Sequence, residues 1–303
     1  MNEIVAQNQL SSLRAVIRCL RPHQWSKNLI IFVPALAGHK LAEPMYWFYD
    51  VSAFIVFCLC ASGAYVINDL MDMTSDRLHP RKRNRPFARG DLSPGLGWVI
   101  GLSLIICGFA LAAMLSIEFA TVAAAYIVLT TVYSLWARKV ELLDVFFLAG
   151  LYTMRLIAGY TAGIAYSAWL LMFSMFVFLS LALLKRYTEM SDQPAAPDQS
   201  ASHGRGYGSY DLTLLASLGI GCGCLATLVL GLYVNSQQVL LLYHQPMLLL
   251  LLCPLWLFWI SHAWLVTCRR QMHDDPIVFA FQDRKSYVVG ALILLVLAMA
   301  TKL

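Results

Sequence analysis

The sequence predicts an all-α, polytopic membrane protein, with nine transmembrane helices around a central cavity that opens to the cytoplasmic side. Three observations carry this prediction. Of the 303 residues, 59% are hydrophobic and only 13% charged, about half the charge that a soluble domain holds. Apolar runs of about twenty residues recur, which is the length a helix needs to cross the hydrocarbon core. Lysine and arginine collect in alternate connections, as a chain that crosses a membrane repeatedly requires. The alternating strands of about ten residues that a β-barrel needs are absent.

Taken in order, segment 11–28 has the pattern of a basic amphipathic helix lying on the membrane surface. Residues 1–20 hold no long apolar stretch of the kind that opens a cleavable signal. Spans are expected near 29–46, 47–68, 95–115, 117–136, 142–163, 166–184, 212–233, 246–267 and 286–302. The first is interrupted by Pro34, Gly38, His39 and Lys40. With the N-terminus in the cytoplasm, nearly every cation falls on one face, and only Lys40 and Lys302 fall on the other. The positive-inside rule makes the charged face cytoplasmic, which places the protein in the inner (plasma) membrane. Segment 190–210, rich in Pro, Ser and Gly, reads as a flexible cytoplasmic loop. The eight cysteines lie mostly inside apolar runs and fit core packing better than zinc or disulfides. Residues 1–303 read as a single domain.

The chemistry concentrates at the end of the second span, in "NDLMDMTSDRLHPRKRNRPFARG" from Asn68 to Gly90. On one continuous helix of about 100° per residue, Asp69, Asp72 and Asp76 share a face, beside Asn68. Crowded carboxylates repel unless a cation joins them. Mg2+ suits the place: it takes one or two carboxylates and completes its shell with water and phosphate oxygens. Arg77, Lys82 and Arg85 follow, and can neutralise a diphosphate or a lipid phosphate. The bland alternatives are a solvated helix end whose aspartates pair with the arginines downstream, and, for the basic stretch, a cytoplasmic anchor attracted to anionic lipid. Nothing outside this loop supports binding to nucleic acid.

Two further spans bring charge to the same edge. Asp144 and Arg155 are eleven residues apart, nearly in phase on one helix. An intramembrane arginine is costly unless paired or wet, so Arg155 is either ion-paired or in contact with a phosphate. Arg138 and Lys139 stand at the entry to that helix. Lys185, Arg186 and Glu189 close the sixth span, where an i,i+4 pair competes with anion binding. The simplest arrangement is one polar cavity at the cytoplasmic edge.

These residues resemble the intramembrane prenyltransferase (UbiA) superfamily. "NDLMDMTSD" has its N-D-x-x-D-x-x-x-D form. The likeness extends to "RPHQWSKN" at 21–28, "YSLWARK", "LLDVFFLAGLYTMRLIAG", "SLALLKRYTE" and "DDPIVFAFQDRKS" at 274–286. It adds Lys27 and Tyr133 to the residues expected at the substrate. "RPHQWSKN", "DRLHPRKRNRPFARG" and "LLKRYTE" are most similar to the decaprenyl-phosphate phosphoribosyltransferase branch. Typical aromatic prenyltransferases end the sixth span in a second aspartate motif; here "KRYTEMSD" brings Lys185 and Arg186 instead. Such a site suits one metal-bound diphosphate and a second anion without metal.

The resemblance implies Mg2+-dependent transfer of 5-phosphoribose from 5-phosphoribosyl diphosphate to a polyprenyl phosphate. The alternative on the same fold is an aromatic or quinone-precursor prenyltransferase using an isoprenyl diphosphate. A transporter or lipid-binding scaffold, which would not need the aspartates, is the reading from another class. His262 in the eighth span reads as a packing residue, and Asp274, Asp275, Asp283 and Arg284 as the rim of the site.

Overall fold

The structure is a computed structural model that describes residues 13–80, 82–191, 206–272 and 275–302. Helix α1 covers 13–20. The long helices are α2 (Pro44–Met71), α3 (Pro94–Leu115), α4 (Ile117–Leu135), α5 (Leu143–Tyr160) and α6 (Ala168–Ser191). They continue with α7 (Leu212–Val234), α8 (Leu252–Cys268) and α9 (Arg284–Lys302). Among the described residues eight helices are long and apolar enough to cross a membrane, corresponding to α2 through α9.

The expected first span, 29–46, is built differently. Pro22–Phe32 is a 3-10 helix of 11 residues, entered through Arg21 at φ 51°, and it runs into the short α-helix Val33–Ala37. The chain turns at Gly38 and His39 before α2 begins at Pro44. Proline at 22 and 34 suits helix starts and removes a donor from a longer α-helix. The surface helix expected over 11–28 is likewise divided into α1 and this 3-10 segment. Of the expected loop 190–210, residues 192–205 lie outside the described residues, as does Asp274.

Two compact units divide the chain. The first comprises Met1–Ser134 with Met154–Ile164. In it α2 packs on α3 through close backbone approach: a Cβ at Gly63 would stand 2.8 Å from the Gly101 carbonyl oxygen. Ser93 caps α3, its hydroxyl accepting from the Leu96 N–H at 3.3 Å, with Pro94 at the first turn. Helix α1 buries Ala15 and Cys19 against Val66, Leu70, Phe87 and Leu92. The Trp25 indole donates to the Ser62 hydroxyl, which donates to the Leu20 carbonyl. These contacts hold the segment before α2 against the end of α2 that carries Asn68 and Asp69.

The second unit comprises Leu135–Thr153 with Ala165–Leu303. Its core joins Val145, Leu183, Leu184, Leu215, Ile260 and Trp264. The buried Ser180 hydroxyl donates to the Gly219 carbonyl at 2.6 Å and accepts from the Trp264 indole at 3.2 Å. In hydrocarbon such hydroxyls tie helices together.

Candidate functional site

In the first unit, Asp69 lies in the last turn of α2. Helix α2 stops at Asp72 (φ −88°, ψ 1°), and a short helix, Met73–Leu78, starts anew. The single continuous helix on which all three carboxylates shared a face is therefore interrupted. Asp69 and Asp76 still come together, at 2% and 3% exposure. One Nη1 of Arg85 stands 3.1 Å from Asp69 Oδ1 and 2.7 Å from Asp76 Oδ2. Arg21 Nη2 reaches the same Asp69 Oδ1 at 2.6 Å, and its guanidinium lies over the Tyr65 ring. Asp72 instead accepts from the Asn68 side-chain amide at 3.3 Å.

Local folding explains how Arg85 arrives there. The chain after Leu78 turns through the 3-10 segment Lys82–Asn84 and into Pro86–Arg89. Phe87 buries to 1% exposure, and Gly90 ends this piece at φ 89°. Arg77 Nε donates to the Ala88 carbonyl at 3.2 Å, stapling the return segment down. Arg77 is thus engaged with the backbone. Lys82 is half-buried. Burial first, then the charges of Arg21 and Lys27, hold the His23 imidazole below its usual range.

Whether a divalent cation fits can be judged from the donor set. Among the described residues no three His, Cys, Asp or Glu side chains converge as a self-sufficient metal site. Mg2+ does not need three: it holds one or two carboxylates and leaves the rest of its shell to water and phosphate. Asp69 and Asp76 already share one positive group, so the pair fits a cation.

Also in the first unit, Arg155 is 4% exposed. Its Nε donates to Asn28 Oδ1 at 2.8 Å, its Nη2 to the Tyr126 hydroxyl at 3.0 Å, and its guanidinium lies over the Tyr126 ring. Hydrogen bonding and a ring face are how an intramembrane arginine is accommodated. Lys27, at 8% exposure, precedes the fully buried Asn28, and Tyr133 is half-buried on α4.

The second unit holds a separate polar network. Asp144, fully buried, meets Arg186 Nη2 at 2.5 Å. Arg186, 2% exposed, also pairs with Glu189. Lys185 Nζ donates to Asp275 Oδ2 at 3.1 Å. The sixth-span cations expected to receive an anion therefore already have carboxylate partners, and Glu189 pairs with Arg186 three residues before it. The Arg186–Glu189 pair is a neighbour contact along one helix, whereas a carboxylate ninety residues away from Lys185 is a contact that only tertiary folding supplies. Arg138, half-buried, and Lys139, exposed, sit on the 3-10 turn Ala137–Lys139 at the entry to α5.

Tyr207 belongs to this network, although its sequence context gave no sign of it. Its hydroxyl donates to Asp144 Oδ1 at 2.6 Å and accepts the Leu142 N–H at 2.6 Å. Leu142 sits at φ 60°, a left-handed conformation that costs a side-chain-bearing residue about 1 kcal/mol. Burial first, and then the bond to Asp144, push the Tyr207 phenol far above its usual range, so it keeps its proton. His262 lies between the rings of Phe258 and Phe279, with Nε2 3.4 Å from Asp283 Oδ2, in keeping with a packing role.

Comparison with known proteins matches residues 31–282 to the UbiA prenyltransferase family. Protein y4nM of Sinorhizobium fredii is 38% identical over 286 residues, 93% of this chain and 55% of y4nM. The chain thus spans about half the length of that relative. Nodulation protein NoeC of Azorhizobium caulinodans is 36% identical, over 88% of this chain and 87% of NoeC. The decaprenyl-phosphate phosphoribosyltransferase of Corynebacterium glutamicum is 35% identical over 58% of this chain and 54% of that protein. Among solved structures, a UbiA homologue from Archaeoglobus fulgidus bound to GPP and Mg2+ covers 94% of this chain with a TM-score of 0.69 at 16% identity. That likeness shows a shared fold.

Proposed function

This chain belongs to the UbiA prenyltransferase family, and on that premise we propose that it is a Mg2+-dependent membrane transferase that moves 5-phosphoribose from 5-phosphoribosyl diphosphate to a polyprenyl phosphate. The observation that carries the reading is the pair of buried carboxylates, Asp69 and Asp76, facing one positive group at the end of α2. The 35% identity to a decaprenyl-phosphate phosphoribosyltransferase supports the choice of donor and acceptor. So does the sixth-span end, which carries Lys185 and Arg186 where aromatic prenyltransferases carry a second aspartate motif.

Asp69 and Asp76, with Asp72 and Asn68 at the helix break, would hold the cation. Bound there, Mg2+ supplies charge stabilisation for the leaving diphosphate. Arg21, Lys27, Arg77, Lys82 and Arg85 surround the diphosphate with positive charge. Tyr133, Arg138, Lys139, Arg155, Lys185 and Arg186 complete the set assigned to phosphate and lipid, with Asp144 and Glu189 orienting Arg186. The bond from ribosyl C1 to the diphosphate oxygen breaks through an oxocarbenium-like state, and a lipid phosphate oxygen bonds to C1 from the opposite face. That oxygen is already anionic and needs no strong base. Catalysis is then positioning and electrostatics.

The cation bias supports an inner-membrane protein with a cytoplasmic N-terminus and its chemistry on the cytoplasmic side. Residues 1–303 are taken as one transferase domain. The test is an assay of the purified protein with labelled 5-phosphoribosyl diphosphate, several polyprenyl phosphates, and Mg2+ present or chelated. Labelled lipid with released diphosphate, only when Mg2+ is present, supports the reading. Consumption of an isoprenyl diphosphate and an aromatic acid, with 5-phosphoribosyl diphosphate untouched, replaces it with the prenyltransferase alternative.

A further inference from the structure

A single phenol hydroxyl ties three pieces of the second unit together. Tyr207 is 5% exposed. Its proton goes to Asp144 Oδ1, and its oxygen receives the N–H of Leu142, whose backbone is left-handed. Its ring faces the Arg186 guanidinium, centroid 5.9 Å from Cζ. Asp144 is thereby divided: Oδ1 belongs to Tyr207 and Oδ2 to Arg186. Among the described residues only Oδ1 is hydrogen-bonded, while Oδ2 meets the guanidinium as an ion pair, so the bond from Tyr207 is what fixes the carboxylate and with it the place of the guanidinium. The preceding residue makes this approach possible. Gly206 is at φ 76°, and a Cβ there would stand 1.7 Å from Glu141 Oε1.

We propose that Tyr207 is a positioning residue for the phosphate of the lipid substrate, acting through the cations of its own unit. It holds the left-handed turn at Leu142, which sets the Arg138–Lys139 turn ahead of α5, and it locks the Asp144 carboxylate that orients Arg186. It touches no substrate. The proposal rests on the reading above for what Arg138, Lys139 and Arg186 are for, and adds a residue outside the sequence motifs.

Tyr207→Phe tests it, because the ring and its contact with Arg186 remain while both hydrogen bonds go. Wild type is first given a polyprenyl phosphate with 5-phosphoribosyl diphosphate and, separately, an isoprenyl diphosphate with an aromatic acid, and constants are measured on the lipid substrate it consumes. Use of the isoprenyl diphosphate would end the phosphoribosyl reading and leave the test of Tyr207 intact. Tyr207→Phe is expected to raise KM for that lipid substrate about tenfold, one hydrogen bond's worth, with kcat within about threefold. Amide exchange at Leu142 is expected to quicken by about the same factor. Adding Leu142→Gly should recover part of that rise, the share due to the turn, since glycine takes a positive φ unaided, and leave the share due to Asp144. Unchanged exchange at Leu142 overturns the proposal. So does an unchanged KM with less active protein, which is the mark of a merely structural role, or a Leu142→Gly substitution that restores nothing.

Discussion

Asp69 and Asp76 share a single nitrogen of Arg85, at 3.1 and 2.7 Å. Both carboxylates are almost wholly buried, while the Arg85 side chain is 25% exposed. Removing the shared positive charge leaves two desolvated carboxylates facing each other. Arg85→Gln should therefore cost about 2 kcal/mol in chelator, less than a fully buried pair because Arg85 is partly wet and Arg21 remains. Millimolar Mg2+ should return most of that loss, because a ligand that binds only the folded state stabilises it. Melting curves with and without Mg2+ check this: the Mg2+-induced rise in Tm should be larger in Arg85→Gln than in wild type.

The Asp144–Arg186 pair is deeper, at 0% and 2% exposure. Asp144→Asn should cost about 3 kcal/mol, the range for breaking a buried pair from one side. Thermal unfolding in detergent should fall by at least about 5 °C. An unchanged Tm would mean that Arg186 does not depend on Asp144.

Gly159 faces the backbone of the 3-10 segment. A Cβ there would stand 2.1 Å from the Ile31 carbonyl oxygen and 3.0 Å from the Pro34 ring. Backbone and a proline ring cannot step aside, so Gly159→Ala should cost at least about 2 kcal/mol. Folded yield on size-exclusion chromatography is the measurement.

Asp283 predicts an acid limb. Burial pushes its carboxyl up, but the Ser286 N–H and hydroxyl, with His262, outweigh this and hold it below the usual carboxylate range. A depressed folded pKa contributes stability above the unfolded value of about 4 and loses it as pH falls through the folded value. The Tm gap between wild type and Asp283→Asn should be full at about pH 6 and narrow progressively as pH falls below about 4. A gap that does not narrow on acidification would contradict the assignment.

Much of this could be read from the chain because it is local. Apolar runs mark α2 through α9, and the spacing of Asp69 and Asp76 brings the two carboxylates together even though the helix restarts at Asp72. That restart was hidden, because nothing in "LMDMTSD" forbids a continuous helix. Pro34 was visible, but its effect was larger than an interruption: the expected first span became a 3-10 segment and one short helix. The partners of Arg155 and Arg186 were out of reach. Asn28 lies 127 residues from Arg155, and Asp144 lies 42 before Arg186, so only packing could choose them. Tyr207 was invisible for the same reason, since a tyrosine between glycines carries no periodic signal.

The account depends on Asp69 and Asp76 holding a divalent cation that carries the diphosphate. The most direct measurement is Mn2+ binding, followed by electron paramagnetic resonance, to wild type and to the double substitution Asp69→Asn with Asp76→Asn, each with and without diphosphate. The account predicts one bound Mn2+ in wild type, and affinity at least about tenfold weaker in the double substitution while the protein remains folded. Equal Mn2+ affinity in the two proteins would contradict it.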